Sequence, residues 1–245
     1  MTDTDIVVEA FTDLAPHYEQ VMDRELRELW GLSYQEFIQR LVDAVPIEGS
    51  RLVLDVATGT AHVPLAMAAR MSPAMSVLGL DITPAMLRAG SANLKGTGLE
   101  HKVRLVCASA TASPFRDGAF DVVTCALGTH HMPVPKVLAE LGRELRVGGQ
   151  LLLADVHAPL IWRSAGATFL IRAATRVYSL VFRSVRAQAE ALAVPNLRTA
   201  VEWKHMLSAS GFCTIETIAT LPPRRAWYPG AIFLRATKGP LDTSS

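Results

Sequence analysis

The sequence predicts a doubly wound α/β domain on a seven-stranded sheet, mostly parallel with an antiparallel last strand. Short apolar segments rich in β-branched residues alternate with helical segments through the middle of the chain. The predicted strands read as continuous apolar runs, as expected where helices cover both faces of a sheet. The pace of alternation also suits right-handed crossovers between parallel strands. We expect one domain over residues 1–245.

The first 48 residues are predicted to form a helical arm, because apolar side chains recur at helical spacing. These side chains are Phe11, Leu14, Tyr18, Met22, Leu26, Leu29 and Trp30. Pro46 and a turn at residues 48–50 end the arm.

Residues 49–158 form the predicted core, in which strands and helices alternate. The strands are expected at residues 52–56, 77–81, 103–108, 120–126 and 150–156. The helices are expected at residues 62–71, 84–94 and 134–145. Gly148 and Gly149 are interpreted as the stop signal of the last helix.

The last third of the chain departs from this alternation. A helical lid is predicted over residues 159–198, directly after the fifth strand. Residues 199–238 are expected to add a helix that ends at Gly211 and strands at 213–220 and 231–237. The tail, residues 239–245, is expected to fray.

Composition bounds the function classes. Half of the residues are hydrophobic and only 19% are charged, which excludes a disordered chain. With 24 basic and 23 acidic residues the chain lacks the basic excess of a nucleic-acid-binding protein. Cys107, Cys125 and Cys213 lie in apolar stretches and are expected to be buried, reduced thiols. No residue spacing suggests zinc, so we predict no metal site.

Nothing in the sequence suggests a membrane span or a secretion signal. No run reaches the ~20 apolar residues that a transmembrane helix needs. The N-terminal residues are acidic and do not resemble a signal peptide. We therefore expect a cytoplasmic protein.

The first functional motif follows the first strand, where small residues from Ala57 to Ala61 form a tight turn into a helix. Small residues let a ligand approach the backbone closely. A dinucleotide-binding turn would carry three glycines to hold a pyrophosphate. Only Gly59 is present here, so a ligand with a charged amine, beside Asp55, fits better.

Asp81 ends the second strand, and an acidic side chain at this position can accept both hydroxyls of a ribose. The alternative is that it caps the helix that follows, since Pro84 comes three residues later. The combination of strand, small-residue turn and acidic residue favours ribose binding.

Five segments in order resemble class I S-adenosylmethionine-dependent methyltransferases. The segments are LDVATGTA (54–61), GLDITPAML (79–87), ASATASPF (108–115), GAFDVV (118–123) and LRVGGQLLLAD (145–155). The chain most resembles the ubiquinone/menaquinone C-methyltransferase-like group, which it also matches at FTDLAPHYE (11–19). The resemblance covers residues 8–158 and continues more weakly to residue 237. It implies a Rossmann-like fold and S-adenosyl-L-methionine as cofactor.

The resemblance also implies which residues hold the cofactor. Asp55 and the turn of Ala57, Thr58, Gly59 and Thr60 would hold the methionine moiety. Asp81 would hold the ribose. The remaining predicted contacts are Ile82, Met86, Ser109 and Ala110 at the adenine, Leu127 and Gly128 near the sulfonium, and Tyr18 folding over from the arm.

Two positions depart from the family pattern. Ala61 replaces the usual third glycine and adds a methyl group at the start of the helix. Ser109 stands where the family usually has Asp or Asn, which leaves the adenine amine a weaker, neutral partner. We expect both to weaken cofactor binding modestly.

Two histidines follow the fourth strand, where ligands of open α/β sheets bind. A histidine that titrates near neutrality can act as a general base. We favour His131 over His130, since a histidine there recurs in the family. The alternative is that one packs and the other caps the next helix. For His157, after the fifth strand, we favour a structural role.

The lid lies above the same cleft and is expected to cover the acceptor. Its aromatic and aliphatic residues, which could form a hydrophobic acceptor pocket, include Trp162, Phe169, Ile171, Tyr178 and Phe182. Ordinary amphipathic packing is an equal alternative. Peripheral contact with an anionic membrane is a third, because five arginines precede Glu190 without an acidic residue between them. They are Arg163, Arg172, Arg176, Arg183 and Arg186.

The sequence therefore predicts methyl transfer to a small, hydrophobic or aromatic acceptor. Carbon is the first choice of methylated atom by resemblance, with oxygen or nitrogen close behind. Two alternatives remain: a protein that binds S-adenosylmethionine without methyl transfer, and a nicotinamide-dependent oxidoreductase. The acceptor's identity and the oligomeric state do not follow from the sequence.

Overall fold

The computed structural model describes residues 2–46, 51–72, 74–164, 166–167, 170–171, 173–175, 177 and 184–240. The turn predicted at 48–50 and residues 241–245 of the tail lie outside these ranges. So do several residues of the predicted lid, among them the previously named Phe169, Arg172, Arg176, Tyr178, Phe182 and Arg183.

The described residues form one seven-stranded sheet. Its strands are β1 (Leu52–Val56), β2 (Ser76–Asp81), β3 (Val103–Cys107), β4 (Phe120–Ala126), β5 (Leu145–His157), β6 (Phe212–Leu221) and β7 (Gly230–Lys238). The strand order is β3-β2-β1-β4-β5-β7-β6. The first five strands pair in parallel, whereas β7 runs antiparallel to both β5 and β6. The predicted doubly wound, mostly parallel sheet with an antiparallel last strand is confirmed.

Helices flank this sheet on both faces. They are α1 (Asp3–Leu14), α2 (Tyr18–Trp30), α3 (Tyr34–Asp43), α4 (His62–Ala68), α5 (Pro84–Leu94), α6 (Val134–Glu144), α7 (Val185–Ala193) and α8 (Ala200–Ala209). Short 3-10 turns lie at Ala15–His17, Thr129–His131, Leu160–Arg163 and Val194–Asn196.

The predicted arm is divided into three helices by local sequence signals. Pro16 falls in the 3-10 turn after α1, and Gly31 ends α2 with a φ of 79°, a conformation that glycine adopts without strain. Capping boxes begin α1 and α3, at Thr2 with Asp5 and at Ser33 with Glu36. These breaks fold the arm back over the sheet.

The core lies in two apolar layers, one on each side of the sheet. One layer packs α2, α3 and α4 against the strands through residues such as Phe37, Met67 and Phe233. The other packs α6 and α8 through residues such as Leu141 and Trp203. This burial is why the central strands carry so few polar residues.

The predicted boundary between α6 and β5 was wrong. Helix α6 ends at Glu144, and Leu145–Gly149 belong to β5, which begins five residues earlier than expected. The register between β4 and β5 shifts between Phe120 and Val122, as at a β-bulge. Gly148 has a φ of 75° in this irregular part of the strand. The glycine pair therefore serves a bulge in a strand rather than a helix stop.

The prediction that all three cysteines are buried was also wrong. Cys125 is buried, but Cys107 and Cys213 are exposed. Cys125 lies on β4 in the middle of the sheet, whereas Cys107 and Cys213 lie on β3 and β6, the two edge strands. Edge strands have a neighbour on one side only, so an apolar sequence there does not ensure burial.

Candidate active site

The candidate site lies at the carboxyl ends of the parallel strands. From the middle of the sheet, β1, β2 and β3 follow one another toward one edge, and β4 and β5 follow toward the other. The strand order therefore reverses between β1 and β4. Open α/β sheets bind ligands in the crevice at this reversal. The loops after β1, β2, β4 and β5 all open into it.

The turn after β1 depends on backbone conformations that are rare for residues other than glycine. Ala57, Gly59 and Ala61 have φ values of 55°, 52° and 65°. A Cβ added to Gly128 would lie 2.5 Å from the Cβ of Ala57, and one added to Gly90 would lie 3.1 Å from that of Ala61. The two alanines in a glycine-type turn are therefore accommodated by glycines opposite them.

Asp81 holds this turn in place and faces a cavity. Its Oδ2 accepts a hydrogen bond from the Gly59 N–H at 2.9 Å, and its Oδ1 accepts one from the Thr83 N–H at 2.8 Å. Burial raises the pKa of Asp81, although these hydrogen bonds oppose the rise. A carboxylate offers about four acceptor positions, so about two remain for a diol. The residue thus serves the loop before α5 as well as the cavity.

The smaller of two adjoining cavities has a volume of about 160 Å³. Most of the predicted cofactor contacts line it, namely Tyr18, Ala57, Gly59, Asp81, Ile82, Met86, Ser109, Ala110, Leu127 and Gly128. An apolar wall with one buried carboxylate suits an adenosine, whose base is flat and whose sugar carries two neighbouring hydroxyls. The residues present therefore fit the nucleoside of S-adenosylmethionine.

Three predicted cofactor residues, Asp55, Thr58 and Thr60, are buried but do not line this cavity. The Thr124 hydroxyl donates to Asp55 Oδ1 at 2.5 Å. Burial raises the pKa of Asp55 to about 7. Their role toward the methionine moiety remains a prediction.

The larger cavity, of about 750 Å³, lies between the N-terminal helices, α7 and the loop before β7. Its lining is mostly apolar and includes Met22, Leu29, Trp162 and Trp227. Its polar groups are His130, His131, Glu25, Arg186 and Glu190, together with Thr175 and Ser184. Four residues line both cavities: Phe11, Tyr18, Leu127 and His131. The two cavities therefore share a wall.

His130 forms a buried pair with Asp155 at the end of β5. Its Nδ1 lies 2.6 Å from Asp155 Oδ1. Burial lowers the pKa of His130, but the facing carboxylate more than offsets this, and the net pKa is raised. Asp155 also accepts hydrogen bonds from the Thr129 hydroxyl and from the His130 and Val156 N–H groups. Its pKa is lowered, because the hydrogen bonds and His130 outweigh burial.

His131, the residue favoured from the sequence, stands in a different environment. Its ring meets Phe11 edge-on, with centroids 5.1 Å apart. Its Nδ1 has no hydrogen-bond partner among the described residues. Burial and the neighbouring His130 hold the pKa of His131 well below its usual range. The structure places it at the wall that the two cavities share.

His157 lies outside the linings of both cavities. Burial lowers the pKa of its ring. A Cβ added to Gly230, its partner on β7, would lie 2.7 Å from its Nε2. This close packing agrees with the structural role preferred from the sequence.

The sequence did not predict a place at the site for Asp155, or for Arg186 and Glu190 of α7. Arg186 donates to Glu25 of α2 at 2.6 Å, and its Nε lies 4.0 Å from Glu190. Burial raises the pKa of Glu190, which faces His130 across the larger cavity. The sequence contained one indication for Asp155, which is an acidic residue near the end of the apolar strand β5, beside β4. No local spacing connects it to His130.

Among the described residues, no cluster of three or more His, Cys, Asp or Glu side chains could hold a metal ion. None of the helices in the described ranges is long and apolar enough to cross a membrane.

The order of the sheet and the carboxylate at the end of β2 define a Rossmann-like, nucleoside-binding domain of the methyltransferase type. Residues 2–181 match the model of the ubiE/COQ5 methyltransferase family, and the chain belongs to this family. The resemblance inferred from the motifs is thereby confirmed, as is S-adenosyl-L-methionine as the cofactor of the class. The match also favours a methyltransferase over the nicotinamide-dependent alternative.

Relatives support the same assignment. The demethylmenaquinone methyltransferase of Thermus thermophilus is 36% identical over 150 residues, which are 61% of this chain and 65% of that protein. The ubiquinone/menaquinone biosynthesis C-methyltransferase UbiE of Geobacter sp. (strain M21) is 30% identical over 154 residues, which are 62% and 63% of the two chains. The matched region thus spans just under two thirds of the length of these relatives.

A similar fold occurs in a solved structure of geranyl diphosphate methyltransferase in complex with SAM. The TM-score is 0.63, with 14% identity, over 83% of this chain and 85% of that one. At this identity the comparison speaks for the fold.

Proposed function

We propose that this chain transfers a methyl group from S-adenosyl-L-methionine to a ring carbon of a small, hydrophobic, quinone-type acceptor in the larger cavity. The observation that carries the proposal is the wall that the two cavities share. Tyr18, Leu127 and His131 line both the nucleoside-type cavity and the apolar one. A donor on one side and an acceptor on the other would meet there.

The cofactor, when bound, supplies a methyl group activated by a sulfonium. The chain's own part is mainly alignment, because an in-line approach of acceptor and methyl removes most of the entropic barrier. Asp81 would hold the ribose, and Tyr18 would close the site from the arm. Phe11 and Tyr18 belong to the N-terminal helices and exclude water from the shared wall.

The acceptor class follows from the cavity and from the relatives' names. The larger cavity is mostly apolar and holds a few polar groups at one end, which suits a ring that carries an apolar tail. The relatives are named for demethylmenaquinone and for ubiquinone/menaquinone. A ring carbon attacks a methyl group only when the ring is electron-rich, so the acceptor is expected to react in its reduced, hydroxylated form.

His130 is the base that the geometry favours, which reverses the preference drawn from the sequence. Asp155 fixes the Nδ1 of His130, so that Nε2 is left to accept a proton from an acceptor hydroxyl. His131 is less suited, since its pKa is held well below its usual range. Removal of the hydroxyl proton makes the neighbouring ring carbon more nucleophilic. After this carbon has taken the methyl group, it loses its own hydrogen as a proton, which restores the aromatic ring and leaves S-adenosylhomocysteine as the second product.

The test is a turnover assay with a reduced, short-tailed demethylnaphthoquinone, with formation of S-adenosylhomocysteine and the mass of the product as readouts. We expect the two products to appear in equal amounts, with the new methyl group on carbon. A phenolic acceptor without a quinol ring serves as the comparison. If only the phenol is methylated, and on its oxygen, the proposed transfer to carbon is wrong and the enzyme methylates oxygen. Binding of S-adenosylhomocysteine without turnover of either compound would favour the non-methylating alternative.

The same preparation tests the cofactor site by calorimetric titration with S-adenosylhomocysteine. Asp81→Ala should weaken binding tenfold or more, because a hydrogen bond to a charged group contributes about 1.5–3 kcal/mol. Asp117→Ala is the control, since the Asp117 side chain is 81% exposed and far along the sequence from the turn. Equal affinity of the Asp81→Ala variant and the wild type would remove ribose binding from the proposal.

A further inference from the structure

Exposed apolar side chains from two segments meet at one place on the surface. Leu160 and Ile161, in the turn after β5, are 70% and 52% exposed. Trp227 and Tyr228, in the loop before β7, are 67% and 43% exposed. The Trp162 indole N–H donates to the Trp227 carbonyl at 3.3 Å and joins the two segments. We call Leu160, Ile161, Trp227 and Tyr228 the apolar rim.

The apolar rim lies next to the larger cavity. Trp227 and Tyr228 line that cavity, and so does Trp162, which follows Ile161. Leu160 and Ile161 do not line it, so they are not needed to form its walls. Their exposure is better explained by a partner outside the molecule, since large apolar groups grouped on a surface mark interaction sites.

The charges beside the apolar rim favour an anionic partner. Arg224 and Arg225 precede Trp227, and the Arg225 guanidinium lies 5.7 Å from the centre of the Tyr228 ring. Both arginines border a surface hollow with Glu28, which offsets one of the two charges. A net positive charge remains next to the aromatic side chains.

Five arginines were named from the sequence as a membrane signal, and the two that lie within the described residues, Arg163 and Arg186, do not supply this charge. Arg163 is paired with Glu202 and Arg186 with Glu25, in both cases at 2.7 Å or less. The acidic partners come from other helices, which is why the sequence around each arginine did not reveal them. Among the described residues, the arginines next to the apolar rim are Arg224 and Arg225 of the loop before β7.

We propose that the apolar rim docks on the surface of an anionic lipid bilayer. Tryptophan and tyrosine have apolar rings with a polar edge and favour the depth of the lipid headgroups, and nearby arginines are attracted to anionic lipids. In this position the cavity opens toward the bilayer. The inference rests on the proposed function in one respect: an acceptor dissolved in lipid enters the cavity without crossing water.

The test measures co-sedimentation with vesicles of phosphatidylcholine alone and of phosphatidylcholine mixed with phosphatidylglycerol. We expect the wild type to bind the mixed vesicles more strongly. The double variant Leu160→Ser/Ile161→Ser should lose most of the binding to both. Arg224→Gln/Arg225→Gln should lose about fivefold on the mixed vesicles only, as expected for basic residues near an anionic surface.

Val147→Ser is the matched control. Val147 is 54% exposed, but it lies near the start of β5, whereas the apolar rim lies beyond the other end of that strand. It should bind vesicles like the wild type. Equal binding by the Leu160→Ser/Ile161→Ser variant and the control, or a wild type that stays in solution with both vesicles, overturns the proposal. Thermal denaturation of each variant reports whether the fold is intact.

Turnover of the short-tailed, water-soluble acceptor separates this inference from the proposed function. The Leu160→Ser/Ile161→Ser variant should turn it over at the wild-type rate, because neither side chain lines the cavity, while losing turnover of a long-tailed acceptor held in vesicles. If no protein turns over either acceptor but vesicle binding depends on the apolar rim, the docking surface stands and the proposed function fails.

Discussion

Asp155 is a buried acid, and most of its hydrogen bonds come from the turn after β4. It accepts from Thr129, from the His130 backbone and ring, and from Val156. A carboxylate in this position fixes the tautomer of the histidine and favours its charged form. His130 is therefore prepared to gain a proton at the edge of the larger cavity.

Asp155→Asn should lower kcat by a factor of about 10²–10⁴, the usual contribution of a positioned general base. The base acts in its neutral form, so the rate rises with pH through the pKa of His130. Because Asp155 raises that pKa, its replacement should move the acidic limb of the pH profile to lower pH. The measurement is kcat against pH, with Asp117→Asn as the control. An unshifted limb would show that His130 is not the titrating group.

The Ala57 and Gly128 pair permits a second prediction at this scale. In Gly128→Ala the new Cβ would lie 2.5 Å from that of Ala57, and crowding of this kind costs about 1–3 kcal/mol. Ala57→Gly removes the opposing methyl group and relieves a φ of 55°. The double variant should therefore recover most of the stability lost in Gly128→Ala. Denaturant unfolding of the four proteins of this cycle measures the coupling, and additive effects would contradict the contact.

The elements show which parts of this molecule a sequence can predict. The central strands β1 and β4 were predicted at their observed bounds, because both faces of each are buried and their apolar runs have clear ends. The bounds of β5 were not, since its first residues form a bulge that reads like a loop. The predicted cofactor residues lie in contiguous motifs. The pairing of His130 with Asp155 arises only when β4 and β5 lie side by side.

Helices α2 and α7 both line the larger cavity, and an ion pair connects them. Arg186 of α7 donates to Glu25 of α2, and both side chains line the cavity. Arg186→Gln should raise the KM of the acceptor about fivefold or less, since an ion pair whose side chains are 32% and 33% exposed contributes about 1 kcal/mol at most. The affinity for S-adenosylhomocysteine should not change, because neither residue lines the smaller cavity.

Arg163→Gln is the matched control for this prediction. Arg163 pairs with Glu202 at 2.7 Å and lines neither cavity. Its loss should leave the acceptor KM near the wild-type value. If both variants raise KM equally, the effect belongs to general loosening of the C-terminal region rather than to the wall between α2 and α7.

At the scale of the whole molecule, acidic residues whose pKa values change on folding make the stability depend on pH. Glu144, at the end of α6, is 1% exposed, and its Oε2 has no hydrogen-bond partner among the described residues. Burial raises its pKa to about 7. Glu140, one turn earlier on the same helix, has a lowered pKa because Arg143 donates to it. The two acids should act on stability with opposite sign and in different pH ranges.

A carboxyl group whose pKa is raised by folding stabilises the protein while it is protonated, and this contribution is lost as pH rises from about 4.5 to about 7. Glu144→Gln keeps the shape without the ionisation, so its Tm relative to the wild type should increase by several degrees across this range, at about 2–4 °C per kcal/mol for a chain of this size. His131 and His157 have lowered pKa values, which change stability with pH in the opposite direction. Because both histidines are present in the variant and in the wild type, their contributions cancel in the difference in Tm. Glu140→Gln should show a constant difference above pH ~5, since its contribution is lost only at lower pH. Parallel Tm curves for Glu144→Gln and the wild type would mean that Glu144 ionises at its ordinary pKa in the folded chain.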